Sequence, residues 1–362
     1  MLRHLVLSSI TLVLAGAPAY SPASTVSDVS VNIESRTISI TGSNFGLGPN
    51  QVLYDSFENP GALAGEPISL NASITGNWSW IHNYYTPTYA SKGKSGNSSV
   101  VAVASTGMQQ LQKKFDGTQE VFVSYSVLLD GEYFPGDKVY APRTFSEDSS
   151  YKMLWLFDQD VGGDSSDVCL PTHVGSKGKF YIAGNDYNMV YDVGNEWWSW
   201  DNWMRITFWL KANPEDPTAP GKVMFETLSA DKGYKRRNYN VPVFDADGVT
   251  PKAYRQMNFP GWVRSMSGGT RILYDDIYIA LGSNSAARVE VGNAPTLNEV
   301  TKLEFLKIES WSPTEIIGTY PTVTDDEIKQ MYLYLTGADG ITNDSGIPLF
   351  KRPSRIENIN VQ

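Results

Sequence analysis

Trp203, Arg205, Thr207, Trp209 and Lys211 alternate with Met204, Ile206, Phe208 and Leu210 in the stretch 203–212. In a strand, successive side chains point to opposite faces, so the two sets separate. The apolar set is what a packed core takes. The other set mixes flat aromatics, cations and a hydroxyl. An indole stacks on the apolar face of a sugar ring while nearby polar groups fix its orientation. The second face is therefore predicted to line a groove for a sugar chain, with Trp155 as a further aromatic contact. Trp203 and Trp209 stand about 20 Å apart along such a strand, enough for several rings. Arg205 and Lys211 favour an acidic chain. The plain alternative is a two-sided sheet whose second face is covered by a loop. A helix would scatter these residues, and the β-branched and aromatic content favours a strand.

Other residues suit bond cleavage. Eliminative cleavage of a uronate polymer needs a group to neutralise the carboxylate and a base to take the C5 proton. His173 or Tyr181 could be the base, and Arg143 or Arg205 the neutraliser; Lys152 and Lys211 are further cations. Hydrolysis of a glycosidic bond needs two carboxylates. Asp158 and Asp160 are the nearest such pair, and a strand-end pair of this kind is more often a turn former or a calcium ligand. The single cysteine, Cys169, rules out an intramolecular disulfide and reads as a small buried hydrophobe. With three histidines, one of them near the N-terminus, no zinc spacing exists.

The elements holding these residues read as strands. Of 362 residues, 41% are hydrophobic and 19% charged, an ordinary globular balance with room for two domains. The formal charge is 29 − 39 = −10, which opposes nucleic acid and anionic membranes. Arg3, the apolar run 5–14 and Ala17-Pro18-Ala19 read as a signal peptide over residues 1–19. The run is too short to span a bilayer, and no other stretch is long enough. The chain is thus expected to be exported: secreted, periplasmic or at the cell surface. Asn71, Asn77, Asn97 and Asn343 open Asn-x-Ser sequons.

Val29 to Ile33 and Thr37 to Thr41 alternate around a turn, and Gly42-Ser43-Asn44-Phe45-Gly46 closes a hairpin. The run ISITGSNFG resembles the opening of an IPT/TIG domain, an immunoglobulin-like fold. The rest of that pattern follows only after a long interval. Arg288 to Gly292, Trp311-Ser312-Pro313-Thr314-Glu315-Ile316-Ile317 and Met331 to Leu335 resemble its later strands. This resemblance implies a small sandwich split between 26–50 and 284–350, and it brings no catalytic residues. The insert, 52–281, carries YDSFE, WMRITFWLKAN and ILYDDIYIALG. It resembles the concanavalin A-like jelly rolls, which include lectins, laminin-G-like modules, glycoside hydrolases and polysaccharide lyases. Strand candidates at 99–104, 120–129, 151–157, 179–183 and 222–228 fit an all-β antiparallel sandwich. The stretch 325–334 reads as a turn leading into a strand.

First and last strands often pair in such jelly rolls. The resemblance therefore implies that Asp55 and Glu58 approach Asp275 and Asp276 and bind calcium. The Glu-x-Asp-x-x-Glu motif of jelly-roll glucanases is absent, and Arg143-Thr144-Phe145-Ser146 departs from the Arg-Thr-Glu-Leu signature of alginate lyases. These departures turn the expectation towards binding of an extracellular, acidic polysaccharide. A lyase using the same groove and a structural surface module remain the alternatives.

Overall fold

A computed structural model describes residues 24–59, 61–81, 86–94, 99–103, 110–130, 150–157, 172–174, 180–184, 189–193, 195–199, 202–212, 221–241, 253–259, 262–264 and 271–350. The signal-peptide segment, Arg143, Asp158, Asp160 and Cys169 lie outside them.

The chain is all-β, built of layered antiparallel sheets in a jelly-roll-like sandwich. The stretch that opened the sequence reading is the strand Met204–Lys211. It lies between Glu120–Asp130 and Gly221–Ser229, in the middle of the largest sheet. That sheet runs on through Arg271–Leu281 and Ser99–Val103 to Thr88–Ala90 at one side and to Gly233–Val241 at the other. Asn50–Asp55 also pairs with Arg271–Leu281, setting Asp55 opposite Ile277. The first and last strands of the larger sandwich therefore do meet.

One face of the large sheet behaves as the alternation requires. Met204, Ile206, Phe208 and Leu210 enter the main core beside Val123, Tyr125, Phe225 and Tyr274. Opposite them stands a sheet ordered Trp155–Phe157, Tyr254–Phe259, Leu111–Thr118, Trp80–Ile81. It supplies Leu111, Leu156, Met257 and Phe259 to the same core. Phe259 meets Tyr125 edge-on at 5.5 Å and Tyr274 at 6.0 Å. A further sheet, ordered Met189–Asp192, Phe180–Gly184, Thr172–Val174, Ser150–Lys152, Trp262–Arg264, follows on. Only residues 153–154 separate Ser150–Lys152 from Trp155–Phe157, and only 260–261 separate Tyr254–Phe259 from Trp262–Arg264, so the two sheets share short connections.

Residues 25–43 and 288–348 form a smaller two-sheet sandwich. Thr25–Asn32 and Thr37–Ser43 make the predicted hairpin, and Thr37 lies opposite Thr319. Facing that sheet are Leu303–Phe305, Arg288–Gly292, Tyr332–Thr336 and Ile347–Pro348. Ile38, Ile40, Val289, Val291, Ile316 and Leu333 fill the space between. The stretch read as a turn before its late strand contains one helical turn, Asp325–Ile328, held by a capping box between Thr324 and Glu327.

This small sandwich lies against the second face of the large sheet. Tyr278 stacks on Phe305 at 4.4 Å, and Phe122, Trp209 and Met224 join the same cluster. Gly340 sits over Trp209: a Cβ there would fall 2.7 Å from the indole, and its φ of +77° favours glycine. Gly340→Ala should therefore destabilise the chain, by about 1–3 kcal/mol in urea unfolding. An unchanged midpoint would mean that Trp209 is not held under this turn.

Candidate functional site

The groove read on the strand Met204–Lys211 is covered. Arg205 is 5% exposed and Trp209 6%. Arg205 pairs with Glu290, donates from Nη1 to the Leu303 carbonyl at 2.8 Å and lies over the Phe305 ring. Trp209 Nε1 donates to Glu120 Oε1 at 3.1 Å. Trp203 is half-buried against Ala90, Leu128 and Leu273. Lys211 keeps 42% of its side chain exposed and pairs with Glu120 at 3.4 Å. The physical reason is the packing of a second sheet. A face of indoles, cations and hydroxyls serves a dry seam as well as a wet groove, provided partners cross the gap. Here they do. Arg288 bonds Glu290 at 2.8 Å and Glu226 at 3.2 Å, and Arg236 reaches Glu226 at 3.6 Å.

Trp155, the remaining predicted sugar contact, lies elsewhere. Leu156 is in the core, so Trp155 and Phe157 take the outer face of the core-covering sheet. Met257 and Phe259 are core, so Gln256 and Asn258 share that outer face, as does Gln112 beside core Leu111. Register then builds two cross-strand rows. Trp155, Asn258, Gln112 and Trp80 lie opposite one another in turn. Phe157, Gln256 and Lys114 make the second row. The first row spans three inter-strand spacings, about 14 Å.

The middle of this face is a deep amide floor. Gln256 is 1% exposed and Asn258 5%. Asn258 Oδ1 accepts from Gln256 Nε2 at 3.0 Å and from Gln112 Nε2 at 3.3 Å. Gln256 Oε1 is buried with no hydrogen-bond donor among the described residues. The rim is more accessible: Trp80 is 37% exposed and Lys114 is exposed. Trp155 meets Phe157 edge-on at 5.2 Å.

The neighbouring sheet collects the residues read as candidate bases. His173 is opposite Lys152 on one side and Tyr181 on the other. Tyr181 is in turn opposite Asp192, and Lys152 opposite Trp262. One cross-strand line thus runs through Asp192, Tyr181, His173, Lys152 and Trp262. Arg205 takes no part in it.

The residues read as calcium ligands do not fit the ion. Asp55 Oδ1 accepts from the Phe57 amide at 2.8 Å. Its Oδ2 takes Trp78 Nε1 at 2.7 Å and Ser73 Oγ at 3.1 Å. Burial pushes the Asp55 carboxyl up, against these donors. Glu58 is exposed. Asp275 accepts from the backbone amides of Lys94 and Asp276, at 2.6 and 2.8 Å. Burial, then the neighbouring Asp276 charge, raises its carboxyl well above the usual range. The Lys94 ammonium stands between Asp276, at 3.1 Å, and Glu304, at 2.9 Å. A protein cation thus takes the place a metal would need, whereas calcium asks for six to eight free oxygens. Among the described residues, no group of three or more His, Cys, Asp or Glu is placed to hold a metal.

Sequence reasoning missed Gln112, Gln256 and Asn258. The usable signal was alternation: Leu111 with Gln112, and Gln256, Met257, Asn258, Phe259 in sequence. It also missed Lys94 and Glu304, whose approach depends entirely on the tertiary fold.

No family profile matches the chain, and no curated protein does. Solved structures do resemble it. A marine alginate lyase from Aplysia kurodai is 10% identical with a TM-score of 0.40, over 61% of this chain and 98% of its own. Lectin II from Ulex europaeus is 9% identical with a TM-score of 0.33, over 62% and 99%. The botulinum neurotoxin serotype D binding domain is 8% identical with a TM-score of 0.38, over 81% and 73%. At such identities the likeness concerns the fold alone. Among the described residues no helix is long and apolar enough to cross a membrane.

Proposed function

We propose that the chain is an exported carbohydrate-binding protein that takes an extracellular, acidic polysaccharide on the outer face of the core-covering sheet. The observation that carries this reading is the row Trp155–Asn258–Gln112–Trp80. Aromatics at both ends suit the apolar faces of sugar rings, and amides between them suit hydroxyls. Lys114 adds positive charge to the second row of an otherwise acidic protein.

Trp155→Ala and Trp80→Ala should each weaken glycan binding about tenfold or more, with little change in melting. Lys114→Ala should weaken only the acidic glycans. A glycan array with the mature protein, followed by titration of the variants, measures both. Unchanged affinity in Trp155→Ala and Trp80→Ala would remove the site from this face.

A second reading, a lyase on the continuing sheet, is favoured by the register that sets His173 opposite Tyr181 and Lys152. Proton abstraction needs a base beside a group that stabilises the developing anion. Incubation with uronate polymers tests it: new ultraviolet absorbance from unsaturated products would establish it, provided that His173→Ala and Tyr181→Phe abolish the signal.

A further inference from the structure

Lys94, Asp276 and Glu304 come from three distant parts of the chain. Lys94 follows the strand Thr88–Ala90, Asp276 lies in the strand that closes the larger sandwich, and Glu304 belongs to the small sandwich. Only 16% of the Lys94 side chain is exposed, and the two carboxylates are more deeply buried. Lys94 Nζ lies 3.1 Å from Asp276 Oδ2, one C–O bond from the carboxyl carbon. The two Glu304 oxygens lie 2.9 and 3.1 Å from the same nitrogen.

The surroundings hold this geometry. Asp276 has a φ of +49° at a register shift in its strand, a conformation that aspartate tolerates better than most residues. Asp275 binds the Lys94 backbone amide and so fixes the root of the lysine. Thr322 Oγ1 donates to Glu304 Oε2 at 3.5 Å.

We propose that Lys94 and Asp276 are poised to form an amide bond with one another, with Glu304 carrying the proton. The lysine nitrogen attacks the Asp276 carboxyl carbon. A C–N bond forms and a C–O bond breaks. The ammonium gives up two protons and Asp276 one oxygen, which leave together as a single water. Glu304 takes a proton from the nitrogen, delivers it to the departing oxygen and ends as it began. The step needs no oxidant and no co-reactant. Attack requires the neutral amine. Burial disfavours the ammonium, but Glu304 and Asp276 more than offset this, so the ammonium is the resting form and the reaction begins with proton transfer from Lys94 to Glu304. Burial also raises the Glu304 carboxyl, making it a competent acceptor for the proton that must leave.

The experiment is intact-mass spectrometry of the full chain under denaturing conditions, followed by peptide mapping. Wild type should weigh about 18 Da, one water, less than its sequence requires. The deficit should lie on a branched peptide joining Lys94 to Asp276. Lys94→Arg, which keeps the cation, and Glu304→Gln should both have full mass. A folded wild-type chain at full mass would overturn the proposal, as would a deficit confined to a linear peptide. A cross-linked Glu304→Gln would overturn the role given to Glu304.

Discussion

Trp209→Ala is expected to destabilise the chain by about 3–5 kcal/mol, the usual cost of emptying a buried aromatic site. The indole touches Gly340, joins the seam cluster with Phe122 and Met224, and donates to Glu120. Its loss leaves a cavity and takes a donor from a buried carboxylate. Burial already raises the Glu120 carboxyl, so that group should become easier still to protonate. Urea unfolding measures the cost. A variant as stable as wild type but defective in glycan binding would return Trp209 to a surface groove.

Glu290→Ala should be as severe, at about 3–5 kcal/mol, because it leaves the buried Arg205 guanidinium without its carboxylate and Arg288 with Glu226 alone. Arg205 and Arg288 both pair with Glu290. Burial works against this carboxylate, but the two arginines outweigh it and hold its pKa below the usual range. The sign of the pH dependence follows. A carboxyl with a depressed folded pKa contributes stability that is fully present above its unfolded value of about 4.3. That contribution is lost as pH falls through the lower folded value. The stability gap between wild type and Glu290→Gln should therefore be flat near neutrality and shrink on acidification. A gap that widens in acid would refute the assignment.

These two residues also mark where sequence legibility ended. The strand Met204–Lys211 was readable almost to the residue, because alternation of Met204, Ile206, Phe208 and Leu210 has no other simple cause. The hairpin at the N-terminus was readable for the same reason. Its pairing with Glu315–Thr319 was approachable only through the resemblance of two distant stretches to one split pattern. The far face of Met204–Lys211 was not readable. Arg205 and Trp209 have the same identities whether water or a sheet covers them, and their partners Glu290 and Gly340 lie far along the chain. On the outer face of the core-covering sheet, Trp155 was singled out. The amide floor beside it was not, because Gln112, Gln256 and Asn258 meet only across strand pairings. The acidic residues at 55, 275 and 276 were drawn together correctly, but the ammonium among them comes from a loop residue, Lys94, with no sequence signature.

The N-terminal hairpin has a consequence for the order in which the molecule is completed. Its strand Thr37–Ser43 needs Glu315–Thr319 as a neighbour, so an early strand waits, during synthesis, for one nearly three hundred residues later. An isolated two-stranded hairpin is marginal in water. During that interval the larger sandwich can assemble from strands already present, while the Thr37–Ser43 edge stays open to any strand nearby. Closure comes when residues 288–336 arrive and add the remaining strands of the small sandwich. At that moment the seam over Arg205 and Trp209 is sealed, and the beginning of the chain acquires its partner.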